Sequence, residues 1–320
     1  MKSKKKVGVL LKGGLGNQLF QIAAGFHSSN GEPIEIFSDF TLPRKTKGLA
    51  DALYFEWPQQ VFINHAKSNK LERKSLALSL NQALKINPSI VEKLSFQFVK
   101  LLTDFLFTLK FKERTRVLSG EGVGFCTINL KPNRNLLNGY FQGHQFPSHP
   151  AVSTLTKEIR LQEISESLNL WIEKAKAENP VIVHLRLGDY KNETGIGVLP
   201  PIYFEKALKI VELQESSRNI WIFTDEVESV RNYISPPTTF SVRIIGENGL
   251  NPAETLELMR YGSAYVIANS TFSWWAAFLS YQIGCTTIMP TPWFQKMPSP
   301  IGIKPRDWIE VEILKLNEVE

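Results

Sequence analysis

The chain has 320 residues, 43% of them apolar, with a formal net charge of +6 and two cysteines. That length and apolar share exclude a disordered or fibrous chain, and Cys126 and Cys285, in no CxxC or zinc spacing, exclude a disulfide-built fold and imply a reducing compartment. The charge is split, with 23 Lys/Arg against 11 Asp/Glu in residues 1–160 and 14 against 20 in residues 161–320, which predicts two domains with that boundary and different partners.

The opening M-K-S-K-K-K precedes only Val7 to Leu11 before Lys12. This apolar run is too short for a signal-peptide core or a membrane span, so the chain is expected in the cytoplasm, at most peripheral on a membrane. The same run reads as a first strand. After it comes K-G-G-L-G-N-Q-L-F-Q, in which Gly13, Gly14 and Gly16 allow a tight turn and a close backbone approach, with a helix beginning near Leu19. A P-loop is excluded, as is a dinucleotide fingerprint, which would need glycine where Leu19 stands. Asn17 at the mouth of this turn can bond a sugar hydroxyl or a phosphate.

Ile34 to Phe37 predicts a second strand, and residues 66–116 read as helical and basic, broken at Pro88. The later helix, rich in Phe and Leu and ending K-F-K-E-R-T-R, fits a membrane surface, but the weightier expectation is core packing with a solvated basic end. Leu136 to Gln142 reads as a strand leading into an aromatic, glycine and amide cluster, a composition suited to stacking and hydrogen-bonding a sugar ring. His144 and His149 lack partners at metal-ligand spacing. Residues 154–177 predict one amphipathic helix at the domain boundary.

The second half alternates strand and helix, which predicts a parallel sheet with right-handed crossovers. Strands are expected at 181–184, 220–224, 242–245, 264–268 and 286–289, with helices near 201–213, 227–233, 252–261 and 272–283. Pro180 to Glu193, P-V-I-V-H-L-R-L-G-D-Y-K-N-E, sets His184, Arg186, Asp189 and Glu193 directly after a buried strand. Asp225 follows the next strand, and Ser270, Thr271 and Ser273 follow the Ala264 strand. Ligands of open α/β sheets bind outside the carboxyl ends of the strands, so these three places describe one crevice. The hydroxyls there can cap a helix whose N-terminus favours an anion such as a pyrophosphate.

K-G-G-L-G-N-Q-L-F-Q at 12–21, G-Y-F-Q at 139–142, H-L-R-L-G-D-Y at 184–190 and A-N-S-T-F-S-W-W-A-A at 268–277 together resemble the bacterial α-1,2-fucosyltransferases of glycosyltransferase family 11. The resemblance implies an α/β, GT-B-like fold of two Rossmann-like domains facing a central cleft, the first on the acceptor side with a helical basic insertion, the second binding a GDP-sugar. It implies inverting transfer of L-fucose from GDP-fucose to the 2-hydroxyl of a terminal β-galactoside in a surface glycan such as O-antigen, on an acceptor that could be lipid-linked. No cofactor or metal is expected, and no nucleic-acid partner. Independently, no two of the six Asp residues stand two positions apart, so there is no D-x-D to hold a nucleotide-sugar metal.

By resemblance Arg186 matches the family's essential arginine, and a guanidinium is suited to binding phosphate oxygens bidentately as GDP departs. His184 supports it or touches phosphate, with Asp225, Ser270, Thr271 and Ser273 also on the donor side. Glu193 or Asp189 is the expected base. Gly14, Gly16, Asn17, Gln18, Tyr140 and Gln142 are expected in the cleft or at the acceptor. Two positions depart from the pattern: Leu187 stands where a second arginine is usual, and Thr255 where an Asp often meets guanine, leaving Glu254 or Glu257 to do so. A different GDP-sugar, or a catalytically silent glycan- or nucleotide-binding protein, is therefore the alternative.

Overall fold

The computed structural model describes residues 5–38, 51–57, 60–85, 88–120, 122–193, 195–246 and 249–313. The chain divides into two compact units, Met1–Arg160 with Pro300–Lys304, and Leu161–Ser299 with Pro305–Glu320. The sequence boundary therefore has one exception, because 300–304 returns to the first unit. Backbone groups hold it there: His144 N–H donates to Gly302 O at 2.7 Å and Phe125 N–H to Ile301 O at 2.8 Å.

The first unit runs β1 (Lys5–Leu10), α1 (Leu15–Ser29), β2 (Ile34–Phe37), β3 (Val61–Asn64), α2 (Lys70–Ala83), α3 (Ile90–Phe111), β4 (Thr115–Ser119), β5 (Asn133–Asn138), α4 (Gln145–Ser148) and α5 (Pro150–Lys157). Its sheet is parallel in the order β3-β2-β1-β5-β4. Val7, Val9, Ile34, Ile36, Leu136 and Leu137 fill the sheet's core. At Gly124 an added Cβ would lie 2.2 Å from Ile301 N and 2.8 Å from Pro300 C, so two backbones touch there. Gly124→Ala should cost about 1–3 kcal/mol by overpacking and lower Tm in a thermal melt. An unshifted Tm would show that this contact is dispensable.

The second unit runs α6 (Glu166–Glu178), β6 (Val181–Leu185), α7 (Pro201–Gln214), β7 (Asn219–Thr224), α8 (Val230–Tyr233), β8 (Ser241–Ile245), α9 (Pro252–Met259), β9 (Ala264–Val266), α10 (Thr271–Phe278), β10 (Thr287–Thr291) and β11 (Ile309–Glu312). Its six strands are parallel in the order β8-β7-β6-β9-β10-β11. Numbered within the unit, that is 3-2-1-4-5-6, the doubly wound order whose ligand crevice lies where the winding reverses, between strands 1 and 4. Each unit is thus Rossmann-like, as a GT-B-like fold requires.

The single helix expected over 154–177 is two helices. Ser165 starts the second, its hydroxyl accepting from Leu168 N–H at 3.1 Å, with Glu166 in the first turn. The expectation for the Phe- and Leu-rich helix is also corrected: α3 buries only Thr103 and Phe107 and leaves a broad apolar face outside.

Candidate active site

Strand register assembles the site of the second unit. β6 and β7 pair with His184 opposite Phe223 and Leu185 opposite Thr224. The next residue on each strand is Arg186 and Asp225, so two side chains distant in sequence emerge side by side at the carboxyl edge. Arg186 Nη1 lies 3.3 Å from Asp225 Oδ2, and the two side chains retain 34% and 23% of their exposure, which leaves the guanidinium open to a ligand. Asp225 also accepts from Leu187 N–H at 3.0 Å and Gly188 N–H at 3.1 Å. A Cβ at Gly188 would come within 2.8 Å of Asp225 Oδ2, so this approach needs glycine. Burial alone would raise the Asp225 pKa; the Leu187 N–H, the Arg186 charge and the Gly188 N–H outweigh it and hold the carboxyl below its usual range.

On the other flank of the reversal point, β9 pairs with β6 through Val266 and Val183 and leads to Asn269 and α10. The Arg186 guanidinium sits 5.8 Å over the Tyr190 ring, and the Tyr190 hydroxyl donates to Asn269 O at 3.4 Å, which ties the two strand ends together. Asn269 Nδ2 donates to Gly197 O at 2.9 Å. Two buried atoms here, His184 Nδ1 and Asn269 Oδ1, have no partner among the described residues. Orphan polar atoms on both sides of one crevice are what a polar ligand would satisfy.

The His184 ring lies 6.0 Å from that of Phe272 in the first turn of α10. Burial, joined by the Arg186 charge and only partly opposed by Asp225, pushes the imidazole down to about 3. At neutral pH it is an uncharged donor or acceptor, and no proton shuttle. The unfolded chain protonates this residue near pH 6.5 and the native chain near 3, so stability should fall as pH drops through that window, by up to about 1.4 kcal/mol per pH unit. His184→Gln, which cannot take up the proton, should flatten that slope in urea midpoints measured against pH. An unchanged slope would place its source elsewhere.

Other candidates have settled roles. Ser270 caps α10, accepting from Phe272 N–H, while Ser273 is buried and donates its hydroxyl to Ser270 O at 3.2 Å. Ser273 therefore braces the helix and lines no surface. Thr271 is half-buried at the first position of α10. Glu254 closes the capping box of α9, accepting from Asn251 N–H at 3.0 Å. Glu257 is buried with both oxygens engaged, by Arg260 Nη1 at 2.7 Å and the Tyr281 hydroxyl at 2.5 Å. Packing thus corrects the assignment of Glu257 to guanine, and it gives Glu254 a cap to hold. Leu187 is buried in the unit's hydrophobic core, so the missing second arginine is a residue facing inward here. Asp189 lies in a short 3-10 turn, and Glu193 is exposed, its carboxylate making no hydrogen bond or ion pair with a described residue. Nothing described orients that carboxylate.

In the first unit the winding reverses between β1 and β5. Gly13 has φ +74°, and a Cβ there would lie 2.5 Å from Asn17 Nδ2, so the turn before α1 needs glycine. Gly14 leads into α1 with no side-chain cap and open space where its Cβ would be. Gly16 is buried in the helix's first turn. Asn17 Oδ1 accepts from Gln142 Nε2 at 2.9 Å, a bond across the reversal point, and Gln142 Oε1 is buried with no partner among the described residues. Gln18, expected in the cleft, is instead buried, donating to Gly13 O at 3.0 Å and accepting from Ala52 N–H at 2.9 Å. Tyr140 is half-buried; its neighbour Phe141 has φ +55° and a buried ring that would stand 2.7 Å from a Cβ at Gly139. The glycine of G-Y-F-Q thus makes room for a core ring.

Sequence reasoning passed over Lys12. Its ammonium bonds Asn138 Oδ1 at the end of β5, and burial lowers its pKa to about 8. Gln21 clasps its backbone from both sides, at 2.9 and 3.1 Å. A lone lysine closing an apolar strand was the available signal.

The model of the family described as glycosyl transferase family 11 matches residues 6–312. An alpha-1,2-colitosyltransferase of Escherichia coli is 24% identical over 311 residues, 94% of this chain and 97% of that protein. The O-antigen biosynthesis glycosyltransferase WbnK of Escherichia coli is 24% identical over 294 residues, 89% and 93% of the two chains. Among solved structures, fucosyltransferase NodZ from Bradyrhizobium is similar at a TM-score of 0.47 and 14% identity, over 87% of this chain and 93% of that one.

Proposed function

We infer, for a chain that belongs to glycosyl transferase family 11, that it moves L-fucose from GDP-fucose to the 2-hydroxyl of a terminal β-galactoside in a surface glycan, with inversion at the sugar carbon. The observation that carries the reading is Arg186, braced by Asp225 and one-third exposed at the reversal point of the second unit's sheet. Departure of GDP builds charge on the diphosphate, and a fixed guanidinium meets that charge without reorganising. The N-terminus of α10 adds a favourable dipole beside it. His184, uncharged, donates or accepts one hydrogen bond in the same crevice.

The acceptor hydroxyl attacks from the opposite face as the glycosidic bond to GDP breaks, through an oxocarbenium-like state. Its proton passes to a carboxylate, for which Glu193 is the first candidate and Asp189 the second, or to water if bond breaking runs ahead of attack. Asn17 and Gln142 form the polar pair of the first unit and are assigned to the acceptor side, together with Gly14, Gly16 and Tyr140. A lipid-linked acceptor, with the basic first unit near a membrane, completes the reading.

A second reading keeps the chemistry and changes the sugar. Leu187, where a second arginine is usual, and a relative named for colitosyl transfer both favour testing another GDP-sugar. GDP release, measured with each donor in the presence and absence of β-galactosides, separates these readings. Acceptor-dependent release from GDP-fucose, with a 1→2 linkage by NMR, is expected. Release only from another GDP-sugar supports the second reading, and binding without release would reduce the protein to a silent binder.

A further inference from the structure

Helix α3 carries eight large apolar side chains outside the fold: Ile90, Val91, Leu94, Phe98, Leu101, Leu102, Phe105 and Leu109, exposed by 39–76%. At 100° per residue all eight fall in an arc about 120° wide, and from Ile90 to Leu109 the stripe runs roughly 28 Å. The opposite side holds the helix to the unit. Phe107 packs with Leu76, Val117 and Leu136, and Asp104 accepts from Val117 N–H at 2.7 Å. Nothing among the described residues covers the stripe. An exposed apolar face this long marks an interaction surface.

Charge decides its occupant. Residues 66–116 hold 11 Lys/Arg against 4 Asp/Glu. No acidic residue falls within the arc: Glu92 pairs with Lys85 and Asp104 with Lys100, both off the stripe. Lys112 and Arg114 stand exposed just past the helix. Two copies meeting face to face would bring this positive excess against itself, and the arc is wider than a coiled-coil seam. Anionic headgroups would attract the same charges while the acyl boundary takes up the Phe and Leu side chains. No helix among the described residues is long and apolar enough to cross a membrane, so this one would lie in the surface.

We propose that the outer face of α3 docks the enzyme on an anionic phospholipid membrane. This rests on the reading above only in setting the enzyme beside a membrane, and it stands whichever sugar is transferred. The test is flotation of the full chain with vesicles of phosphatidylethanolamine and phosphatidylglycerol, against vesicles of phosphatidylcholine alone. The wild type should float with the anionic vesicles and release in high salt. The exposed triple variant Leu94→Glu/Phe98→Glu/Phe105→Glu should bind at least tenfold more weakly, with its Tm and its GDP release on a soluble acceptor unchanged. A wild type that stays with the soluble fraction, or a triple variant that floats equally well, overturns the proposal. So does a wild-type dimer in sedimentation that the same variant dissolves, because a second copy would then own the face. Failure of GDP release with retained flotation would count against the transferase reading alone.

Discussion

Arg186→Ala should lower transfer by at least about 10² to 10³, the usual worth of one charge-stabilising group in a transition state, and leave the fold unchanged. The side chain is one-third exposed and its ion pair with Asp225 is partly solvated, so its removal takes little from stability. Circular dichroism and Tm should match the wild type while acceptor-dependent GDP release disappears. Arg186→Lys should recover only a small part, since an ammonium keeps the charge but loses the planar fork that meets two phosphate oxygens at once. Turnover retained in the alanine variant would remove Arg186 from the chemistry.

Asp225→Ala should lower kcat by about 10- to 100-fold, on the scale expected when a charged group is displaced by about an ångström. Asp225 holds the Leu187 and Gly188 N–H groups and the Arg186 guanidinium, and we propose that it acts on the reaction only through them. A cycle with Arg186 tests that positioning role. In the Arg186→Ala background the second substitution should cost little further activity, because the group it positions is already gone. Stability should still fall by about 1–3 kcal/mol, the cost of leaving polar backbone groups without an acceptor. Fully additive losses in activity would assign Asp225 its own contact with the donor.

Much of this site is legible in the sequence, and what is legible has a common cause. Short apolar runs such as Val181 to Val183 and Ala264 to Val266 are strands buried on both faces, so their ends, and the polar residues just beyond, can be read directly. Edge strands lack that signature. Val61–Asn64 and Ile309–Glu312 are short, mixed with polar residues and half exposed, and Thr115–Ser119 follows a helix whose composition masks it. Such strands carry no clear sequence signal.

The partner of a charged residue is decided by register and packing, which no local pattern carries. Arg186 and Asp225 meet because Leu185 lies opposite Thr224. Glu254 and Glu257 both look available for guanine in sequence, yet one closes a capping box and the other is held between Arg260 and Tyr281. Gln18 and Ser273 differ from their expected places for the same reason, since their polar ends turn to neighbouring backbone. The outward face of α3 shows the converse: a helix apolar on nearly every side gives no sequence cue to which face is buried.

The most direct measurement is a calorimetric titration of GDP and of guanosine into the wild type and Arg186→Ala. If the guanidinium meets the diphosphate, the substitution weakens GDP binding by about 10- to 100-fold, the worth of charge-assisted hydrogen bonds, and leaves guanosine binding as it was. Equal GDP affinity in the two proteins, or a parallel loss for guanosine, would contradict the assignment.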